Sequence, residues 1–157
     1  MSDAFEFRNV WRKDDGKVEA DAVALWQRLN ILPQGVSPQA RAKELCVAAY
    51  DGDRLAAITT ATIDTLQVVR AKMLFLRALV APEYRSRKVV VPLTLRTHEA
   101  LSQYALDNPQ MRLGGTVAIV TSTPGIYKPV GSADMVLIGY TARNEPVTLR
   151  WFDHYRL

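Results

Sequence analysis

Three strand-like runs follow one another between Leu45 and Val80 with no helical pattern among them, and a long helical pattern comes soon after. Leu45–Tyr50 is a short apolar run, and Asp51-Gly52-Asp53 reads as a hairpin turn. Arg54–Leu66, rich in alanine, threonine and isoleucine, reads as the returning strand. Ala71–Val80 is the third run, and its Met73-Leu74-Phe75-Leu76 stretch is too apolar for a surface segment. This succession commits the middle of the chain to a sheet with antiparallel neighbours.

The flanking segments complete an α/β chain of the α+β type. Phe5–Trp11 alternates large apolar and polar residues, as a half-buried strand does. Asp14-Asp15-Gly16 reads as a turn. Ala22, Leu25, Trp26, Leu29 and Leu32 recur at helical spacing, which predicts an amphipathic helix over about Glu19–Ile31, ended by Pro33 and Gly35. Ser37-Pro38 starts a short helix to about Glu44, with serine as the cap and proline where its missing donor does no harm. From Pro92 a helical pattern runs to about Asp107, with Leu93, Thr97, Leu101 and Tyr104 on its inner face and Leu95 and Ala105 beside it. Asn108-Pro109 ends it. Gly115–Thr121 is a β-branched strand, Pro124–Gly131 an irregular or helical link, and Met135–Thr141 with Pro146–Phe152 a last hairpin. A mixed, mostly antiparallel central sheet flanked by helices would bury these elements.

Length and composition narrow the function classes. A chain of 157 residues with 48% hydrophobic residues suits one domain over residues 1–157. No apolar run approaches a membrane span, and Met1–Glu6 has neither the basic region nor the apolar core of a signal peptide, so a cytoplasmic location is expected. Cys46 is the single cysteine, and His98 and His154 lie far apart, so neither a disulfide nor a metal site is expected. The net charge of +4 is mild and mostly scattered. It carries no strong nucleic-acid signal, because aromatic residues are not interleaved with the dense basic cluster at Arg85, Arg87 and Lys88.

That cluster lies where a strand meets a helix: Leu79-Val80-Ala81-Pro82-Glu83-Tyr84-Arg85-Ser86-Arg87-Lys88-Val89-Val90-Val91-Pro92. A helix N-terminus carries unpaired N–H groups and partial positive charge, and a turn leading into it directs further N–H groups at an anion. Two arginines and a lysine add full charges. The segment is therefore a candidate phosphate site. The plainer alternative is a solvated basic turn.

Val80-Ala81-Pro82-Glu83-Tyr84-Arg85, followed by Ser86–Val90 and a long helix, resembles the V-x-P-x-Y-R strand end and phosphate loop of the GNAT acetyltransferases. Tyr127-Lys128-Pro129-Val130-Gly131-Ser132 falls where that family has a short helix with Y-x-x-x-G-F. The resemblance is specific across about Leu45–Gly131. Lys88 and Val90 depart from it, standing where the family usually has glycine or another small residue, and Ser132 stands in place of phenylalanine.

The resemblance implies an N-acyltransferase that uses acetyl-CoA or another acyl-CoA as co-substrate. It implies donor contacts from Leu79, Val80 and Ala81 along the pantetheine, and from Arg85, Ser86, Arg87, Lys88, Val89, Val90 and Val91 at the diphosphate. It implies that the backbone N–H near Val80 meets the thioester oxygen and that Tyr127 protonates the leaving thiolate. No base stands out. Glu83 is expected to face solvent, Asp64 follows a strand end, and His98 sits well inside the long helix. The acceptor would be a small-molecule amine or a protein amine. Two alternatives stay open: an N-acyl synthase that takes its acyl chain from an acyl carrier protein, and a non-catalytic binding module on the same scaffold. Trp26 and Trp151 read as core residues rather than as walls of an acceptor pocket. The final strands offer edge groups through which a homodimer would form.

Overall fold

The turn chemistry read from the sequence sets the first helix, though not where the apolar period alone would start it. In the computed structural model, which describes residues 4–119 and 132–156, α1 spans Gly16–Leu29. Asp15 is its cap and accepts from the Val18 N–H, so the Asp14-Asp15-Gly16 turn is itself the helix start. The helix stops at Asn30, whose left-handed backbone (φ 50°) donates back to Gln27, a conformation asparagine tolerates. α2 spans Pro38–Ala42 with Ser37 capping Ala40, as expected, but ends two residues before Glu44.

The strands are β1 (Glu6–Asn9), β2 (Leu45–Asp51), β3 (Arg54–Leu66), β4 (Ala71–Val80), β5 (Leu113–Ile119), β6 (Val136–Tyr140) and β7 (Pro146–Trp151). They form one seven-stranded sheet in the order β1-β2-β3-β4-β5-β7-β6. β4 and β5 pair parallel, from Lys72↔Leu113 to Leu76↔Ala118, while β1–β2, β2–β3, β5–β7 and β6–β7 are antiparallel. The parallel pair follows from connectivity, because the chain leaves β4, runs through α3 (Val90–Asp107) and returns as β5. The fold is thus α+β, with a mixed, mostly antiparallel sheet and flanking helices.

The chain divides into two compact units: residues up to Ala61 together with Ala78–Ala100, and Thr62–Arg77 together with Leu101 onward. In the first, Val18, Ala22 and Trp26 of α1 pack with Leu45, Ala48, Tyr50 and Ile58, all buried. Trp26 is therefore a core residue. In the second, Ala71, Met73, Val117 and Leu149 form the core. Here β5 begins two residues before the expected Gly115. Gly114 and Gly115 lie inside the strand; a Cβ on Gly114 would crowd the Met73 and Trp151 side chains at 3.1 Å. A Cβ on Gly115 would run into the Arg150 carbonyl oxygen and come within 2.9 Å of the Trp151 Cα. Trp151 is half-buried and stacks on Tyr155 at 5.5 Å.

A buried hydroxyl relay seats the front half of α3 in the first unit. The Val47 N–H donates to the Thr59 hydroxyl (3.2 Å), Thr59 and Thr97 share a hydrogen bond between their hydroxyls (2.8 Å), and Thr97 donates to the Leu93 carbonyl (2.7 Å). Either hydroxyl of the Thr59–Thr97 pair can be the donor; when Thr97 gives its one proton to Leu93, Thr59 supplies the shared one. Both threonine side chains are satisfied, so the relay stabilises rather than strains the core. Leu93, Thr97, Leu101 and Ala105 of the expected inner face are buried, Tyr104 is half-buried, and Leu95 is 39% exposed.

Candidate donor site at the start of the long helix

The segment from Leu79 to Val91 holds the predicted donor contacts, and its residues 79–91 all lie in the first unit. Its strand end is fixed by one hydrogen bond: the Ala81 N–H donates to the Ala56 carbonyl at 2.8 Å. Successive N–H groups along a strand point to opposite edges. With Ala81 turned toward β3, the Val80 N–H is directed to the edge away from β3. Leu79 and Val80 are half-buried, and Ala81 is fully buried.

The chain then makes a single 3-10 turn, Pro82–Tyr84, and its next residues divide into two sets. Tyr84 and Arg87 reach back into the protein, and Glu83, itself exposed, pairs across the surface with α1. Glu83 Oε1 lies 2.9 Å from Arg28 Nη2 of α1 and 3.9 Å from Arg54. The Tyr84 hydroxyl, on a buried ring, donates to Asp51 at 2.9 Å. The Arg87 guanidinium lies over the Phe5 ring at 5.2 Å and the Tyr84 ring at 5.7 Å. Arg85, Ser86 and Lys88 are exposed. The odd–even alternation of a strand has been replaced by a turn that gathers its anchors on one side.

Lys88 carries the sharpest feature of this turn. Its φ is 55°, in the left-handed region. Glycine reaches that region freely, while a residue with a Cβ is held there at a cost of about 1–2 kcal/mol. The position where the resembled family has a small residue thus keeps a glycine-like backbone while bearing an ammonium. Val90 differs: it is the first residue of α3, 48% exposed, with no left-handed backbone to maintain. Val89 is buried, and its carbonyl accepts from the Leu93 N–H at 3.0 Å, which closes the first helical turn. Val91 is 41% exposed. The exposed valine side chains therefore do not plug the turn. Helix α3 starts two residues before Pro92, which sits within the first turn, where an N–H is not needed.

Of the acidic and histidine groups considered as a base, Glu83 is exposed, as expected, and is also ion-paired. Its hydrogen bond to Arg28 holds its carboxyl below the ordinary range. A carboxylate held ionised in this way is a weak proton acceptor at neutral pH. Asp64 is exposed and accepts from the Thr65 N–H at 2.7 Å. His98 is buried on α3. Burial pushes the Cys46 thiol well above its ordinary value, so it is protonated and inert. Tyr127, with the rest of the Pro124–Gly131 link, lies outside the described residues. Among the described residues no group of three or more His, Cys, Asp or Glu side chains is placed to hold a metal ion, and no helix is long and apolar enough to cross a membrane. The Arg28–Glu83 and Tyr84–Asp51 contacts were not foreseen. Their partners lie 55 and 33 positions apart, and nothing local marks them.

No family model matches the chain, and no curated protein does. Solved structures do. The chain is similar to an acetyltransferase of the GNAT family from Streptococcus pneumoniae, with 14% identity, 94% of this chain and 99% of that one covered, and a TM-score of 0.54. It is similar to an aminoglycoside 6'-N-acetyltransferase complexed with coenzyme A, at 10% identity, 97% and 99% coverage and a TM-score of 0.58. It is also similar to a ribosomal-protein-S5-alanine acetyltransferase from Vibrio fischeri, at 10% identity, 98% and 96% coverage and a TM-score of 0.57. Identities this low speak to architecture alone: the chain has the GNAT acetyltransferase fold.

Proposed function

We propose that residues 1–157 form one N-acyltransferase domain that moves an acetyl or other acyl group from an acyl-CoA to an amine, with the Arg85–Val91 turn receiving the donor's diphosphate. The observation that carries this reading is the division of the turn. Glu83, Tyr84 and Arg87 anchor it, which leaves Arg85, Ser86 and Lys88 exposed beside the first turn of α3. A glycine-like backbone at Lys88 on an acetyltransferase fold supports it further. Helix-end N–H groups and two free-standing cations are the chemistry a diphosphate needs.

In the reaction, the amine nitrogen attacks the thioester carbonyl, the C–N bond forms as the nitrogen gives up a proton to solvent water, the C–S bond breaks, and the sulfur leaves as a thiolate that takes up a proton. The Val80 N–H, directed away from β3, is assigned to the carbonyl oxygen as negative charge develops there. The Ala81 N–H is already bonded to Ala56 and is not assigned to the ligand. Backbone groups of Leu79 and Val80 would line the pantetheine arm. Tyr127 is assigned as proton donor to the thiolate on the resemblance of its surrounding motif. Glu83, held by Arg28, is not assigned as the base. The acceptor is a small-molecule or protein amine.

Thermal unfolding with CoA and with acetyl-CoA tests the reading. A ligand at one hundred times its Kd that binds the native state adds about 2.7 kcal/mol, which is several degrees of Tm for a domain of this size. Arg85→Ala should lose most of that shift. No shift with either thioester carrier would refute the donor site. The exposed cations Arg85 and Lys88, with Lys88 standing where glycine or a small residue is usual, favour an acidic protein as the alternative donor. Stabilisation by a phosphopantetheinyl acyl carrier protein, with none from CoA, would select that reading. Stabilisation by neither would select the non-catalytic module.

A further inference from the structure

We propose that the Arg28–Glu83 ion pair is a positioning pair that pre-sets the Arg85–Lys88 turn from the rigid face of α1. Only the ligand-binding arm of its test rests on the donor-site reading above. The pair is a fork: Glu83 Oε1 is 2.9 Å from Arg28 Nη2, and Oε2 is 3.5 Å from Nη1. The short contact carries the pair, and the longer, weak one biases its orientation. Arg28 lies in the last turn of α1, where the helix dipole already favours a cation. That helix is seated by Val18, Ala22, Leu25 and Trp26, all buried, so its surface is a fixed reference. Glu83 sits inside the 3-10 turn that delivers Arg85, and the Arg85 N–H closes that turn on Pro82 at 3.4 Å, a weak bond. The geometry of the exposed cations therefore depends on what holds Glu83 as well as on the Tyr84 and Arg87 anchors. Arg54, 3.9 Å away, adds a second charge on the same carboxylate.

The side chains of Arg28 and Glu83 are 53% and 34% exposed. An exposed pair of this kind adds little to global stability. Its effect should be local: the population of the opened turn changes while the unfolding midpoint does not. The turn reports on itself, because trypsin cleaves after Arg85, Arg87 and Lys88.

The test is limited trypsin digestion of the full chain, with cleavage after those three residues followed by mass spectrometry. Glu83→Gln and Arg28→Gln should each speed cleavage there by roughly two- to fivefold, the opening expected from losing an exposed pair. The double variant should be no faster than either single one, and Arg28→Lys should be intermediate, since it keeps the charge and loses the fork. Tm should stay within about a degree for all four. Calorimetric CoA binding is measured on the same proteins, and a similar fold weakening in Glu83→Gln supports positioning of the donor site. Unchanged cleavage in both single variants overturns the proposal, as does additive acceleration in the double variant. If the wild-type chain does not bind CoA, the donor-site reading fails and the cleavage result alone decides the positioning pair.

Discussion

Two turns in the first unit place one residue in nearly the same left-handed backbone. At the β2–β3 hairpin it is Gly52, φ 59°; before α3 it is Lys88, φ 55°. The hairpin is announced by its sequence, since Asp51-Gly52-Asp53 between apolar runs supplies the residue that turn prefers. The second turn is not announced, because lysine carries no preference for that region. The difference teaches that local chemistry writes the first turn and anchoring writes the second. Glu83, Tyr84 and Arg87 hold the chain on either side of Ser86, and Lys88 takes the conformation that remains. Backbone held away from its local preference by its surroundings is common where function sits.

The largest expected effect comes from a glycine required by crowding rather than by torsion, which sets the scale for the other two. Gly115→Ala should destabilise the chain by about 3 kcal/mol in urea unfolding, because the new methyl meets the backbone of Arg150 and Trp151. A loss near zero would mean that β7 can move aside. Gly52→Ala should cost about 1–2 kcal/mol purely through the backbone, since nothing lies within 4 Å of a Cβ there. If it costs nothing, the hairpin does not need its glycine and the contrast with Lys88 disappears.

Lys88→Gly should act in the opposite direction and stabilise by about 0.5–1 kcal/mol, the left-handed penalty less the freedom glycine adds to the unfolded chain. The same protein sharpens the functional side: weaker CoA binding despite higher stability would make the ammonium a contact in its own right. Tighter binding would make Lys88 an obstruction. Lys88→Asn should stabilise by only a few tenths of a kcal/mol, because asparagine tolerates the region less well than glycine. A smaller effect still is expected from acid. The Glu83 carboxyl, ordinarily near 4.5, is lowered by Arg28, so its contribution is present above that value and lost as pH falls through the lowered one. Glu83→Gln should remove that part of the acid dependence of turn opening, followed by hydrogen exchange at residues 85–88. An unchanged acid profile would assign the dependence to another carboxylate.

Amino-acid order by itself determined the run of elements. β3 and β4 begin and end where apolar content and turn residues place them, and Ser37-Pro38 caps α2 as serine and proline do anywhere. It also placed the candidate site between β4 and α3, because cations beside a helix start are a local pattern. Helix and strand edges set by less regular signals moved: Asp15 drew α1 forward, and β5 took in Leu113 and Gly114, where the side chains of Met73 and Trp151 come within 3.1 Å of a Cβ position. What the tertiary structure alone decided is which of the site's residues are tethers and which are open. Arg87 and Arg85 are chemically identical and two positions apart, yet one lies over the rings of Phe5 and Tyr84 while the other is exposed. Glu83, a solvent-facing residue by sequence, is held by an arginine 55 positions earlier. The physical reason is range. Hydrophobic period, caps and turns act over a few residues and can be read along the chain, whereas an ion pair or a cation over a ring exists only after folding has brought distant segments together.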